Sequence, residues 1–285
     1  MGSPAENRLR LVFPAFPFLL LPMAASEKPL VYLILGAAGS GRRDVLADLI
    51  AGGFETTNRV AVLLPAAEAE VAADGRLPAV TRWRWDEGMI IAALPRDFAH
   101  VFFVTEGSRN PIDQIEVFKA WLDAQGGEIA RVICVVNCEL AERHPALRVW
   151  FDACVHFSDV VLLNRREGVP NKWFSDFQSH YKHLFVPCLF EFVKDGLVKN
   201  PALVLDPQAR RMTHAFDAEQ DLIFTNADGE VIDEQEESKE GEDGIEAKPE
   251  EEPYFVRDAA GRRVKLLPDI AKILAADATR AGSAP

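Results

Sequence analysis

Cysteine is scarce in this chain of 285 residues, and the four that occur are Cys134, Cys138, Cys154 and Cys188. They lie mostly within apolar runs, which indicates buried free thiols in a reducing compartment rather than disulfides. The sequence has no Cys-x-x-Cys pair and no Cys/His cluster, so it predicts no structural zinc site and assigns no metal ligands. We therefore expect a cytoplasmic protein.

Basic residues are outnumbered, because Lys and Arg total 31 against 44 Asp and Glu, a formal net charge of −13. Thirteen acids and two lysines lie between Asp228 and Glu252, so the rest of the chain is close to neutral. Nothing in this balance suggests a nucleic-acid partner. Residues 226–252 are expected to form a solvated linker, since they have almost no large apolar side chains to offset their ordering entropy.

Long apolar runs are missing too. After the first 25 residues no stretch is apolar for the ~18 residues that a membrane span needs, so no membrane partner is expected. Residues 11–25 are apolar and superficially look like a signal peptide, but three prolines interrupt them, which a helical segment tolerates poorly. Residues 1–27 are interpreted as a disordered extension or a misplaced start before Met23, with an export signal as the alternative.

Short apolar runs alternate with helical patterns through residues 28–225, as a parallel sheet covered on both faces requires. Strands are predicted at 30–35, 60–64, 89–93, 101–104, 131–136, 160–163 and 186–189, and helices at 43–51, 112–125, 145–153 and 173–183. Trp83 and Trp85 alternate with arginines, which predicts a strand with one packed face, with a cation–π surface as the alternative. Residues 253–285 form a short C-terminal tail that either docks on the sheet or binds a protein partner.

A glycine-rich run from Gly36 to Asp44 follows the first strand and opens the first helix, the setting of a Walker A loop, Gly-x-x-x-x-Gly-Lys-Ser/Thr. Its glycines let backbone N–H groups wrap phosphates at a helix start whose dipole favours an anion. Arg42 replaces the lysine, and Arg43 replaces the hydroxyl that holds Mg²⁺. Arginine can pair with phosphate but cannot ligate a metal, so Mg²⁺ binding is in doubt. The alternative is a turn that only packs helix on strand. The predicted phosphate-binding residues are Gly36, Gly39, Ser40, Gly41, Arg42 and Arg43.

A second pattern ends a late strand, where Asn164-Arg165-Arg166-Glu167 follows an apolar run. GTP-binding proteins read guanine with Asn-Lys-x-Asp in that place, the carboxylate accepting from the base and the lysine stem covering the ring. Asn164, Arg165 and Glu167 are therefore predicted to bind the base, with a charged loop after a buried strand as the plain alternative.

With these two motifs, the chain resembles the CobW/HypB/UreG family of P-loop GTPases, especially its CobW-like members. Val104-Thr-Glu-Gly-Ser-Arg-Asn-Pro111 resembles the family's Glu-Thr-Thr-Gly-Leu-Ala-Asp-Pro segment, and Phe157-Ser-Asp-Val-Val-Leu-Leu-Asn164 resembles Phe-Ala-Asp-x-x-Leu-Leu-Asn. The likeness covers residues 30–186. It implies an α/β P-loop NTPase-type three-layer sandwich with a mostly parallel sheet, GTP as ligand, and a role in metal-centre or cofactor assembly.

The chain also departs from that family. Val104 stands where the family has its acid, so Glu106 is the catalytic candidate, and Ser40 and Glu106 are the nearby groups that could rescue metal binding. Asn137 replaces an aspartate, and the family's Cys-x-Cys-Cys motif and C-terminal domain are absent. The first hypothesis is a divergent GTP-binding protein with slow or absent hydrolysis. The second is a nucleotide-free pseudo-GTPase that serves as an interaction scaffold. A P-loop kinase or ATP-dependent ligase is disfavoured, because the 164–167 motif would have no task.

Overall fold

The structure is a computed structural model that describes residues 28–55, 57–217, 222–225, 246–249 and 251–282. The predicted extension or misplaced start at 1–27 lies outside the described residues, as does most of the predicted linker at 226–252. No helix within the described ranges is long and apolar enough to cross a membrane.

Eleven strands and seven α-helices make up the described chain. The strands are β1 Leu30–Leu35, β2 Val60–Pro65, β3 Val80–Asp86, β4 Met89–Ile91, β5 His100–Val104, β6 Glu128–Asn137, β7 Val160–Asn164, β8 Leu189–Lys194, β9 Leu197–Val198, β10 Leu222–Thr225 and β11 Glu246–Pro249. The helices are α1 Arg42–Gly53, α2 Pro111–Gln125, α3 Cys138–Arg143, α4 Arg148–His156, α5 Asn171–His183, α6 Pro201–Leu205 and α7 Ile270–Gly282. Short 3₁₀ turns lie at Ala72–Arg76 and Pro145–Leu147.

Nine of these strands form one sheet in the order β4-β3-β2-β5-β1-β6-β7-β8-β9. The strands from β3 to β8 in this order are parallel, and only the edge strands β4 and β9 run antiparallel to their neighbours. The predicted α/β fold with a mostly parallel sheet is confirmed. Because β1 lies between β5 and β6, the carboxyl edge of the sheet places the segments after β5, β1, β6 and β7 side by side.

Helices cover both faces of this sheet. Side chains of a strand point alternately to opposite faces, so Val31 and Leu33 join one buried cluster and Tyr32 and Ile34 join the other. The first cluster packs against α2, α4 and α5, and the second packs against α1 and α6. The result is a three-layer sandwich in which the central strands are apolar on both faces, as their continuous runs predict.

Most predicted strands are confirmed, including the strand with Trp83, which is 1% exposed on the packed face of β3. The last strand is wrong: it was expected at 186–189, whereas β8 spans Leu189–Lys194. The backbone N–H of Val186 donates to Tyr181 O at the end of α5, and Pro187 has no N–H to give to a ladder. Local apolar content therefore placed the strand too early.

The C-terminal tail docks on the sandwich, one of the two alternatives that the sequence left open. Phe255 stacks on Phe157 with ring centroids 5.5 Å apart, and Ile270 is 2% exposed within the larger buried cluster. Arg263 bonds Glu116 of α2 at 2.5 Å. In the segment expected to be a linker, Glu252 accepts hydrogen bonds from His156 and Thr213, and β11 pairs with β10. The composition of the segment does not predict these long-range contacts.

Candidate functional site

The glycine-rich loop joins the central strand β1 to α1 at the carboxyl edge of the sheet. Gly36, Gly39 and Gly41 all have positive φ, and a Cβ at Gly36 would lie 2.4 Å from Val135 O, so close packing requires glycine there. Gly41 is the N-cap of α1, and no side chain caps this helix. Among the residues that the structure describes, the N–H groups of Gly39 and Gly41 donate to no protein acceptor. Free N–H groups at a helix start are suited to an anion.

Arg42, the residue in the lysine position, is 5% exposed and already has protein partners. One guanidinium nitrogen donates to Thr105 O, and the other donates to Glu68 Oε1 at 2.6 Å. The sequence predicted that this side chain would hold phosphates. In the structure its charge faces a carboxylate of the chain itself.

Arg43 bonds the same acidic residue, Glu68, and a second one, Asp74. Its guanidinium donates to Glu68 Oε2 at 2.9 Å, to Asp74 at 3.0 Å and to Ala69 O at 2.8 Å. Asp74 also accepts from Arg82 at 2.7 Å. Three arginines and two acids thus form one partly buried network beside the loop. The guanidinium of Arg43, which the sequence predicted to contact phosphate, is held by acids of the chain itself.

Glu68 stands at the centre of that network. Besides the two arginines, its Oε1 accepts from the backbone N–H of Gly107 at 2.7 Å. Burial opposes ionisation of this carboxyl, but Arg42, the Gly107 N–H and Arg43 outweigh it, so the pKa of Glu68 lies below its ordinary value. The carboxylate is therefore charged at neutral pH.

Gly107 brings the segment after β5 into direct contact with the glycine loop. Ala38 N donates to Gly107 O at 2.9 Å, and a Cβ at Gly107 would lie 2.3 Å from Ala38 N and 2.5 Å from Arg42 Nη2. Any side chain here would force the two segments apart. The glycine matched in the resemblance thus has a packing reason of its own.

The carboxylate of Glu106, the catalytic candidate, bonds within its own segment rather than with the glycine loop. Its carboxylate accepts from Ser108 Oγ at 3.0 Å and from Arg109 Nε at 2.7 Å, both in its own segment. Ser40 Oγ is buried and has no hydrogen-bond partner in the described part of the chain. The two groups proposed to rescue metal binding are therefore not joined by any contact.

The predicted base-reading residues lie on the other side of the loop, at the end of β7 and in the turn after it. Asn164 is 7% exposed, and its Nδ2 donates to Ser40 O at 2.8 Å, which fixes the end of β7 against the glycine loop. Arg165 has φ +50°, a left-handed conformation at the turn that follows. Glu167 is exposed at the mouth of the neighbouring cavity.

Two adjoining cavities lie at this edge. One, of about 550 Å³, is lined by Asn164, Arg165, Glu167 and Asp195. The other, of about 540 Å³, is lined by Gly39, Gly41, Arg42, Arg43 and Glu68. Asp44 and Arg165 line both, so the two spaces meet beside the start of α1.

The residues present fit a phosphate group better than a magnesium ion. The uncapped start of α1, the free loop N–H groups and the orphaned Ser40 Oγ are all suitable for an anion. In the described ranges no three His, Cys, Asp or Glu side chains gather as a metal site. Burial raises the pKa of the Cys138 and Cys188 thiols to about 12, so both are protonated thiols at neutral pH.

Sequence reasoning missed Glu68 and Asp74. A signal for them was available, because two adjacent arginines at a helix start buried beneath a loop need anionic partners. The first acid after the next strand, β2, is Glu68.

Two solved structures of a zinc-bound GTPase are similar to this chain. One is a Zn(II)-bound triple mutant of the YjiA GTPase, with 16% identity and a TM-score of 0.39, and the other is Zn(II)-bound YjiA from E. coli, with 15% identity and a TM-score of 0.37. Each comparison covers 70% of this chain and 72% of that chain. No protein-family model and no curated protein sequence matches the chain. At this identity and TM-score, the likeness carries no argument about what the chain binds.

Proposed function

We propose that this chain is a CobW-like GTP-binding protein whose GTP hydrolysis is weak or absent. The observation that carries the proposal is the hydrogen bond from Asn164 Nδ2 to Ser40 O, 2.8 Å long. It joins the motif after β7 to the glycine loop after β1, and the two adjoining cavities open on either side of this junction. One site can thus accept both a base and a chain of phosphates.

Each part of a nucleotide has a matching group. The free N–H groups of Gly39 and Gly41, at the start of α1, would hold the phosphates. Glu167 is exposed and makes no ion pair in the described part of the chain, so its carboxylate is available to accept from guanine N–H groups. The Arg165 stem would cover the ring.

Weak turnover follows from the charges around the loop. Hydrolysis requires a metal ion to neutralise the developing phosphate charge. Arg43 stands where a metal-ligating hydroxyl is needed and is held by Glu68 and Asp74. Glu106 is held by Ser108 and Arg109. A bound triphosphate would therefore persist.

The experiment is a titration of fluorescent GTP and ATP analogues onto the purified chain, first with Mg²⁺ and then with EDTA. We expect binding that is selective for GTP and independent of Mg²⁺. Glu167→Ala should bring the GTP and ATP affinities to within about threefold of each other. Glu128→Ala removes an equal charge from an exposed position at the opposite edge of the sheet and should leave selectivity unchanged. Unaltered selectivity in Glu167→Ala would sink the base assignment.

A second function is favoured by one observation: Glu68 already pairs with both arginines of the loop. On this alternative the chain is a nucleotide-free pseudo-GTPase that acts as an interaction scaffold. Absence of GDP, GTP and ATP binding at about 100 μM would support it. The tail around Tyr254 and Phe255 packs inward rather than presenting a free surface, so a partner would have to displace it or bind elsewhere.

The biological setting rests on the resemblance. We propose metal-centre or cofactor assembly, because that is what CobW-like proteins do, and fold alone does not assign a process. We also propose the cytoplasm, since all four cysteines are free and buried, as suits a reducing compartment.

A further inference from the structure

The carboxylate of Glu68 lies at one end of the candidate nucleotide site. It accepts hydrogen bonds there from the backbone N–H of Gly107 and from the guanidinium groups of Arg42 and Arg43. We propose that Glu68 occupies the position of the terminal phosphate, so that the site selects a nucleoside diphosphate over a triphosphate. This inference rests on the proposed function, and it names the ligand of that same site.

The donors around Glu68 are those of a phosphate site. Oε1 accepts from Gly107 N at 2.7 Å and from Arg42 Nη2 at 2.6 Å, and Oε2 accepts from Arg43 Nη2 at 2.9 Å. A backbone N–H beside two arginines is the combination that binds phosphate oxygens. The carboxylate uses all three donors, so an incoming anion finds none of them free.

The order of strands shows which phosphate would belong there. The base-reading motif follows β7, the glycine loop follows β1, and Gly107 follows β5, in the sheet order β5-β1-β6-β7. A nucleotide with its base beside Asn164 runs across the loop toward Gly107. The group that reaches Gly107 is then the last phosphate of a triphosphate.

The nearer phosphates keep their donors. The N–H groups of Gly39 and Gly41 donate to no acceptor within the described chain, and Ser40 Oγ is buried without a partner. Glu68 contacts none of these groups. A diphosphate therefore fits the loop without moving Glu68, whereas a triphosphate must displace a charged carboxylate that is 83% buried at its side chain.

The test compares GDP with β,γ-methylene GTP, which cannot be hydrolysed, by isothermal titration of the full chain and its Glu68→Ala and Glu70→Ala variants. Wild type should bind GDP at least about tenfold more tightly than the triphosphate analogue. Glu68→Ala should gain at least about tenfold for the analogue and change by less than about twofold for GDP. Glu70 lies in the same segment, is 88% exposed and contacts neither Gly107 nor the loop arginines, so Glu70→Ala should keep the wild-type ratio.

Three results would overturn the inference. Equal affinities for the two nucleotides in wild type and in Glu68→Ala would show that Glu68 excludes nothing, while leaving the proposed function intact. An equal gain for the analogue in Glu70→Ala would show a general charge effect. Binding of neither nucleotide by any variant would remove the proposed function together with the inference. Should Glu68→Ala fail to fold by circular dichroism, Glu68→Gln keeps the shape, removes the charge and should shift the ratio in the same direction.

Discussion

Replacing Arg42 with methionine tests the charge network beneath the glycine loop. Arg42 is 5% exposed, pairs with Glu68 at 2.6 Å and donates to Thr105 O. Removing one partner of a buried ion pair costs about 3–5 kcal/mol. The lower end of this range applies here, because Arg43 and the Gly107 N–H still donate hydrogen bonds to Glu68. The lost donor to Thr105 O adds about 1 kcal/mol. We expect Arg42→Met to lower the free energy of unfolding by about 3–4 kcal/mol, or the Tm by about 10 °C.

The pH dependence separates this pairing from simple packing. The pKa of Glu68 in the folded chain lies below its ordinary value of 4.5, so its ionised carboxylate contributes stability that is present above pH 4.5 and lost as the pH falls through the folded-state pKa. The loss of unfolding free energy caused by Arg42→Met should therefore become smaller below pH 4.5. Urea denaturation at pH 7 and in acid measures both values.

The control is Arg84→Met on β3. Arg84 is exposed and makes no ion pair in the described part of the chain, so this variant should stay within about 0.5 kcal/mol of wild type. If Arg42→Met also cost less than about 0.5 kcal/mol, or if its cost did not change with pH, Arg42 and Glu68 would not form the pair described.

Two further substitutions test a contact at the carboxyl edge of the sheet and a contact of the C-terminal tail. Asn164→Ala removes the buried hydrogen bond to Ser40 O and leaves that carbonyl without its donor, so urea denaturation should show a loss of about 1–3 kcal/mol, and GTP affinity should fall in parallel. No loss of stability would mean that water replaces the amide. Phe255→Ala removes the ring stacked on Phe157 and should destabilise by about 1–3 kcal/mol, with faster proteolysis in the tail. A cleavage rate equal to that of wild type would show that the tail is held by its ion pairs instead.

The sandwich itself was predictable because its signal is local. Continuous apolar runs such as β1 and β7 are what strands buried on both faces require, and the glycine-rich run marks the turn into α1. The strand at 186–189 was misplaced because apolar content does not reveal that Val186 still bonds the end of α5. The docked tail was left open for a similar reason, since Phe255 finds its partner, Phe157, about a hundred residues away along the chain.

The sequence by itself determined which residues could form a nucleotide site: the glycines from 36 to 41, and the polar group that begins at Asn164. Their order and spacing required only strands ending at one edge of a parallel sheet. What the tertiary structure alone decided was which charged groups face one another beside those residues. The order β2-β5-β1 places the segment after β2 over the glycine loop, where Glu68 meets Arg42 and Gly107. The two adjacent arginines at the start of α1 indicate that an acid should lie nearby, but no local pattern identifies it as Glu68, because an ion pair depends on which residues the folded chain brings together.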